Sequence, residues 1–184
     1  LRAARDRDFD VRINTHGNHI DDTVADALAE MAISKVSLSV YSNRADDHEA
    51  VTLIKGSHGK TLDAARRLVA RGVQVNFKTP VMIQNRTSYQ TVAALADSIG
   101  ATSELDANII PDDQSDFGLC AIGVHSTDRT LAMMHHAMSR ADAFPHWSEL
   151  PDAPSTARTC SAGTALAYIS PDGQLYPCLN WRES

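Results

Sequence analysis

The feature that most constrains this chain is a change of hydrophobic period. Residues 36–85 read VSLSVYS, then a polar loop with HEAV and IKGSHG, then KTLDAARRLVARGV, then QVNFKTPVMIQN. Apolar residues recur every second position, then on one face of a 3.6-residue helix, then every second position again. A strand, a loop, an amphipathic helix, a glycine turn and a second strand make a βαβ unit. The helix spans 61–71 with Leu62, Ala65, Leu68 and Val69 inward. Gly72 follows at the position where helices end in a left-handed residue. Pro80 is expected to interrupt the ladder of the second strand, 73–79, because it has no N–H to donate.

The flanking segments repeat the unit. Residues 10–15 alternate as a strand, and Asp21 or Asp22 can cap a helix with Val24, Ala27, Leu28 and Met31 on one face. Thr87 or Ser88 is expected to cap another helix, with Val92, Leu95, Ala96 and Ile99 inward and Gly100 at its end. Residues 104–110 read as a further strand. Strand–helix repeats about 30 residues long predict a parallel sheet with helices outside.

The strand faces are two-sided. Val11 and Ile13 oppose Arg12, Asn14 and His16; Val36, Leu38 and Val40 oppose Ser37, Ser39 and Tyr41. Val73, Val75 and Phe77 oppose Gln74, Asn76 and Lys78. Leu105, Ala107 and Ile109 oppose Glu104, Asp106 and Asn108. Strands buried on both sides would be almost continuously apolar. Helices on one side and a polar lumen on the other fit an α/β fold of the wide or incomplete barrel type better than a doubly wound sheet. The competing reading is a half-exposed sheet in a two-layer domain. After residue 110 the pattern becomes irregular, with prolines at 145, 151 and 154. It ends in AYISPDGQLYPC, a hairpin around a Pro-Asp-Gly turn. Residues 1–145 are thus read as the barrel part and 146–184 as the start of a small Cys-bearing extension.

Net charge bears on partners. At −6, with scattered basic residues, the chain carries no nucleic-acid footprint. No apolar run reaches the roughly 20 residues that span a bilayer, and no signal-peptide core opens the sequence. Three cysteines are too few for a secreted disulfide scaffold, so a cytoplasmic location is expected.

Several residues are candidates for chemistry. Ser39 and Lys78 stand at polar strand ends. Glu104, Asp106 and Asn108 share one face and suit hydroxyls, amines or a peptide backbone. Cys160 and Cys178 bracket the hairpin, which would bring both thiolates near one metal or cluster; two cysteines do not complete a tetrahedral site, and structural thiols remain an equal reading. Gly56 and Gly59 lack a Walker pattern, and Ser39 lacks nucleophile-elbow glycines.

In order and spacing these segments resemble the radical S-adenosylmethionine enzymes. NTHGNHI resembles their TNG-type strand end, with His16 where the pattern has Asn. LSVYS, DHEAV and IKGSHGKTLDAARRLVARGV resemble the "iSlyg" strand and the helix after it. CSAG followed by YISPDGQLYPC resembles the start of the SPASM extension. The resemblance implies a partial (β/α)6 TIM-like barrel that uses S-adenosylmethionine and a [4Fe–4S] cluster. A 5′-deoxyadenosyl radical would then modify a peptide or small protein, with a reductant protein as partner. It implies cofactor contacts from Thr15, His16, Gly17, Ser39, Lys78 and Asn85. Glu104, Asp106 and Asn108 would face cofactor or substrate, and Cys160 and Cys178 would ligate an auxiliary iron–sulfur cluster. The family's C-x3-C-x2-C motif is not in this sequence, which implies a central piece of a longer enzyme with catalytic-cluster ligands outside this chain. Two alternatives stand beside this one: an inactive barrel that binds a peptide or partner through its polar face, and an aldolase-like barrel with Lys78 as a Schiff-base lysine.

Overall fold

The computed structural model describes residues 1–106, 162–164 and 166–178. Four parallel strands, β1 (Arg12–Thr15), β2 (Lys35–Ser39), β3 (Val75–Pro80) and β4 (Thr102–Asp106), pair in chain order. Each crossover therefore steps one place in the same direction. A doubly wound sheet reverses direction at a switch point. These strands do not reverse, which is how a barrel wall is wound. The expected α/β partial barrel is the fold observed, and the described residues hold four of its parallel strands.

The helices are α1 (Arg2–Arg5), α2 (Asp22–Glu30), α3 (Ala45–Thr52), α4 (Ser57–Ala70) and α5 (Thr91–Ile99). Leu28 of α2, Leu62 and Leu68 of α4 and Val92 of α5 share one buried core with Val36, Leu38, Val75 and Phe77 of the strands. The apolar strand face is thus the helix face. The register sets out both faces: Ile13 lies beside Val36, Val36 beside Val75, and Leu38 beside Phe77. On the other face Asn14 lies beside Ser37, Ser37 beside Asn76, and Asn76 beside Thr102. Leu105 lies beside Thr79 on the helix side, where it packs with Val81 and Tyr89 in a smaller cluster.

Local chemistry explains the helix boundaries and five departures from expectation. The Asp21 side chain accepts from the Val24 N–H at 2.8 Å and caps α2. The helix is rolled so that Ala25 and Leu28 face the core, while Val24 stays 39% exposed. That roll presents Asp22 and Asp26 to Arg71, and Asp22 also to Arg67 at 3.6 Å. The second departure is in the loop expected after β2, which contains α3. Its single buried residue is a histidine, His48, so no apolar repeat announces it. Third, α4 begins at Ser57 rather than 61 and runs through Gly59, with Gly56 left-handed at its N-cap. Fourth, Pro80 does not interrupt β3 but closes it opposite Asp106, and the next residue, Val81, donates to the Asp106 carbonyl at 2.8 Å. In addition, α5 starts after Gln90, and neither Thr87 nor Ser88 caps it. Gly72 and Gly100 close α4 and α5 in left-handed conformations, as expected.

Removing the α2 cap gives a direct check on this account. Asp21→Ala is expected to lower unfolding free energy by about 1 kcal/mol, read as a shift in urea midpoint at unchanged slope. A neutral result would mean that the cap bond carries no stability.

Residues 166–178 hold an antiparallel hairpin of β5 (Tyr168–Ile169) and β6 (Leu175–Tyr176), with Tyr168 opposite Tyr176. The turn is the expected Pro-Asp-Gly. Ser170 Oγ donates to Asp172 and accepts from the Gln174 N–H, and Gly173 takes a positive φ. No helix among the described residues is long and apolar enough to cross a membrane.

Candidate functional site at the carboxyl ends of the strands

Parallel pairing lines up the strand ends. Ser39 pairs with Lys78, and Lys78 with Glu104, so three polar residues from β2, β3 and β4 form one transverse row. Their side chains lie on the face away from the helices. Thr15 pairs with Leu38, so His16, one residue on, comes level with Ser39. Asp106 ends β4 two residues beyond Glu104. The lysine of the row is exposed, while Ser39 and Glu104 are half-buried. Lys78 has no ion pair or side-chain hydrogen bond among the described residues.

The turn after β1 is built by its own side chains. Thr15 lies on the helix side, and its Oγ1 accepts from the Gly17 N–H at 3.2 Å. His16 Nδ1 accepts from the Asn18 N–H at 3.1 Å. Thr61 of α4 donates to the His16 carbonyl at 2.8 Å and so anchors the turn to the helix layer. Gly17 has φ +79° and sits against Leu38 and Ala64. This turn therefore brings His16 and backbone groups to the strand ends, whereas the Thr15 hydroxyl is used within it.

Asn85 is placed differently from the row. It is fully buried in the 3₁₀ turn after β3. Its Oδ1 accepts from the Met82 N–H at 2.7 Å, and its Nδ2 donates to the Tyr41 and Pro80 carbonyls, each at 2.9 Å. One amide thus ties the exit of β2 to the exit of β3. Asn85→Ala would strip three bonds and leave buried carbonyls unpaired, at a cost of roughly 2–3 kcal/mol. Chemical denaturation of the full chain measures it, and a loss below about 0.5 kcal/mol would show that water replaces the amide.

Asn76 is a residue of this face that the sequence put in the polar pattern without singling out. It is 4% exposed. Its Oδ1 accepts from Thr102 Oγ1 at 2.9 Å, and its Nδ2 is buried with no hydrogen-bond partner. An unpaired buried amide N–H costs about 1–3 kcal/mol, so it marks a place where a polar acceptor would be stabilised. It stands one pleat below Lys78 on β3, and the pairing register, invisible in a single strand, sets it between Ser37 and Thr102.

The remaining candidates are not gathered into this site by the described residues. Asn108 and Cys160 lie outside them. Cys178 follows β6 and is half-buried. Among the described residues no group of three His, Cys, Asp or Glu could hold a metal ion. They therefore offer no ligand set for an iron–sulfur cluster. The donor set does suit S-adenosylmethionine: a lysine beside a glutamate on neighbouring strands matches the carboxylate and ammonium of an amino-acid end, with Ser39 next in the row.

No family model matches the sequence, and no curated protein matches it. Solved structures do. A domain of pyruvate-formate lyase-activating enzyme from Bacteroides vulgatus superposes with a TM-score of 0.52 at 10% identity, covering 72% of this chain and 78% of that one. Streptococcus suis SuiB gives a TM-score of 0.63 at 10% identity, over 96% of this chain and 45% of its own. SuiB bound to S-adenosylmethionine gives 0.61 at 13% identity, over 96% and 44%. The chain thus spans less than half the length of SuiB. At these identities the likeness is one of fold: the chain shares the α/β partial-barrel fold of these structures.

Proposed function

We propose that this chain is the central part of a radical S-adenosylmethionine enzyme and that it binds the cofactor along the Ser39–Lys78–Glu104 row. The observation that carries the reading is that row: a cation and an anion on adjacent strands, unpaired with each other within salt-bridge distance, at the carboxyl ends of a singly wound parallel sheet. The Lys78 ammonium pairs with the cofactor's carboxylate, Glu104 accepts from its ammonium, and Ser39 adds a hydroxyl. The turn at Thr15, His16 and Gly17 borders the same end of the sheet. Asn85 acts from behind by holding the exits of β2 and β3. SuiB, a structural neighbour, has been solved with this cofactor.

The substrate is a peptide or small protein in this reading. Acceptors at Glu104, Asp106 and Asn108 suit its backbone amides, and Cys160 and Cys178 ligate an auxiliary iron–sulfur cluster at the hairpin. A catalytic [4Fe–4S] cluster, reduced by a partner protein, would supply the electron that starts the chemistry. The described residues contribute binding and orientation.

Calorimetric titration of the full chain with S-adenosylmethionine tests the cofactor assignment. Lys78→Met keeps the aliphatic stem and removes the charge. It is expected to weaken binding roughly tenfold to a hundredfold, the loss of one charge-assisted hydrogen bond, without moving the unfolding midpoint. Absence of binding in the parent chain, or unchanged affinity in the variant, would sink the assignment.

A further inference from the structure

The exit of β2 is held by two buried histidines that the cofactor row does not use. His48 of α3 is 1% exposed and His58 of α4 is 9% exposed, and their rings meet edge-on at 5.2 Å. His48 Nδ1 accepts from the Tyr41 backbone N–H at 3.3 Å, and His58 Nε2 contacts the Ser42 carbonyl at 3.2 Å. The Tyr41 carbonyl is bound by Asn85 at 2.9 Å, and the Asn43 N–H donates to Thr91 at 3.3 Å. Residues 41–43, directly after Ser39 and Val40, are therefore pinned from α3, α4, the 3₁₀ turn and α5 at once.

We infer that His48 and His58 form an acid-sensitive clasp: with His48 neutral, they hold the turn 41–43 at the rim of the strand-end site, and protonation of His48 releases it. The geometry gives the reason. An imidazole nitrogen that accepts from a backbone N–H loses that bond when it takes up a proton, because donor then faces donor. The new charge would be buried and would face a second imidazole. The surrounding groups are few. His58 from α4 opposes a charge on His48, while Glu49 on α3 favours one. Asp47 on α3 accepts from Ser42 Oγ at 3.3 Å and meets Arg44 at 3.6 Å. Tyr41 and Asn85 are uncharged neighbours.

The direction of the effect follows from linkage. Burial first, and then His58, lower the His48 pKa from 6.5 to about 4. The open turn therefore binds more protons than the closed one throughout that window. The clasp is fully effective above about pH 6.5 and weakens as pH falls toward 4.

Amide hydrogen exchange on the full chain tests this, with protection factors corrected for intrinsic rates. Protection at Tyr41 is expected to fall roughly tenfold from about pH 7.5 to about pH 5.5, and toward a hundredfold by about pH 4.5. Core amides of β2 and β3 should lag behind. His48→Asn supplies an acceptor oxygen near the Nδ1 position that does not titrate in this range, and it should abolish the pH step. Histidine ring resonances of the parent chain give a second readout, in which the midpoint at Tyr41 should track the titration of His48. Protection at Tyr41 that holds to about pH 4.5, a step that persists unchanged in the variant, or a midpoint that follows another histidine would each overturn the proposal. None of these readouts involves the cofactor, so the outcome is independent of the proposed function.

Discussion

Gly17→Ala is expected to destabilise the full chain by roughly 2–5 kcal/mol, from two separable causes. The first is conformational. Gly17 has φ +79°, and an L-residue in the left-handed region costs about 1–2 kcal/mol. The second is steric. A Cβ at this position would stand 3.0 Å from Leu38 Cδ2 and 3.3 Å from Ala64 Cβ. A surface leucine could swing aside, but Leu38 and Ala64 are both fully buried. The overlap must instead be relieved by shifting β2 or α4, at about 1–3 kcal/mol. Gly72 supplies the control. Its φ of +74° is similar, and nothing lies within 4 Å of an added Cβ. Gly72→Ala should therefore show the conformational cost alone, about 1–2 kcal/mol. Parallel urea titrations separate the terms. If Gly17→Ala were no worse than Gly72→Ala, close packing of the β1 turn against Leu38 would not be a source of stability. The position also matters for the site, because displacing this turn moves His16 relative to Ser39.

How much of this architecture could be read from sequence depends on what kind of signal each element carries. The four parallel strands were legible because alternation of period two is preserved through pairing. Val36 and Leu38 fall on one face of their strand, and Val75 and Phe77 on one face of theirs, before any pairing is known. The ends of α4 and α5 were legible because Gly72 and Gly100 are needed for left-handed backbone. The hairpin was legible from its Pro-Asp-Gly turn. Elements whose inward residue is polar were missed. Helix α3 buries His48, and the first turn of α4 buries Ser57 and His58; a polar residue facing the core looks, in sequence, like one facing water. Capping was ambiguous for a related reason. Thr87, Ser88 and Thr91 offer similar hydroxyls, but it is Thr91 that bonds the Ser88 carbonyl, while Ser88 Oγ is buried without a partner.

Asn85 shows the same limit at the site. Its residue type fits a cofactor contact as well as a backbone tie, and only tertiary structure shows that its amide is already engaged by Met82, Tyr41 and Pro80. The transverse row was half-visible. Alternation put Ser39, Lys78 and Glu104 on polar faces, but the pairing that sets them side by side depends on register. Register is fixed by the apolar face, since slipping one residue would turn Leu38 and Phe77 outward.

That dependence makes Phe77 the position where packing and site are most tightly joined. It is the largest fully buried side chain among the described residues, in the middle of β3 and beside Leu38. Its neighbours in sequence, Asn76 and Lys78, point to the opposite face. Phe77→Ala is expected to cost about 3–5 kcal/mol, the transfer energy of the ring plus the cavity it leaves. Phe77→Leu fills most of that space and should cost about 1–1.5 kcal/mol. Urea unfolding of the full chain reads both. A loss under about 1 kcal/mol for the alanine variant would mean that the core between β3 and the helix layer is not closely packed. A second readout connects this core to the site. If the apolar face fixes register, the alanine variant should lose amide protection along the β2–β3 and β3–β4 ladders together, because one side chain anchors both pairings. Loss confined to residues next to Phe77 would instead place control of the Ser39–Lys78–Glu104 alignment elsewhere, at the strand exits held by Asn85 and the two histidines.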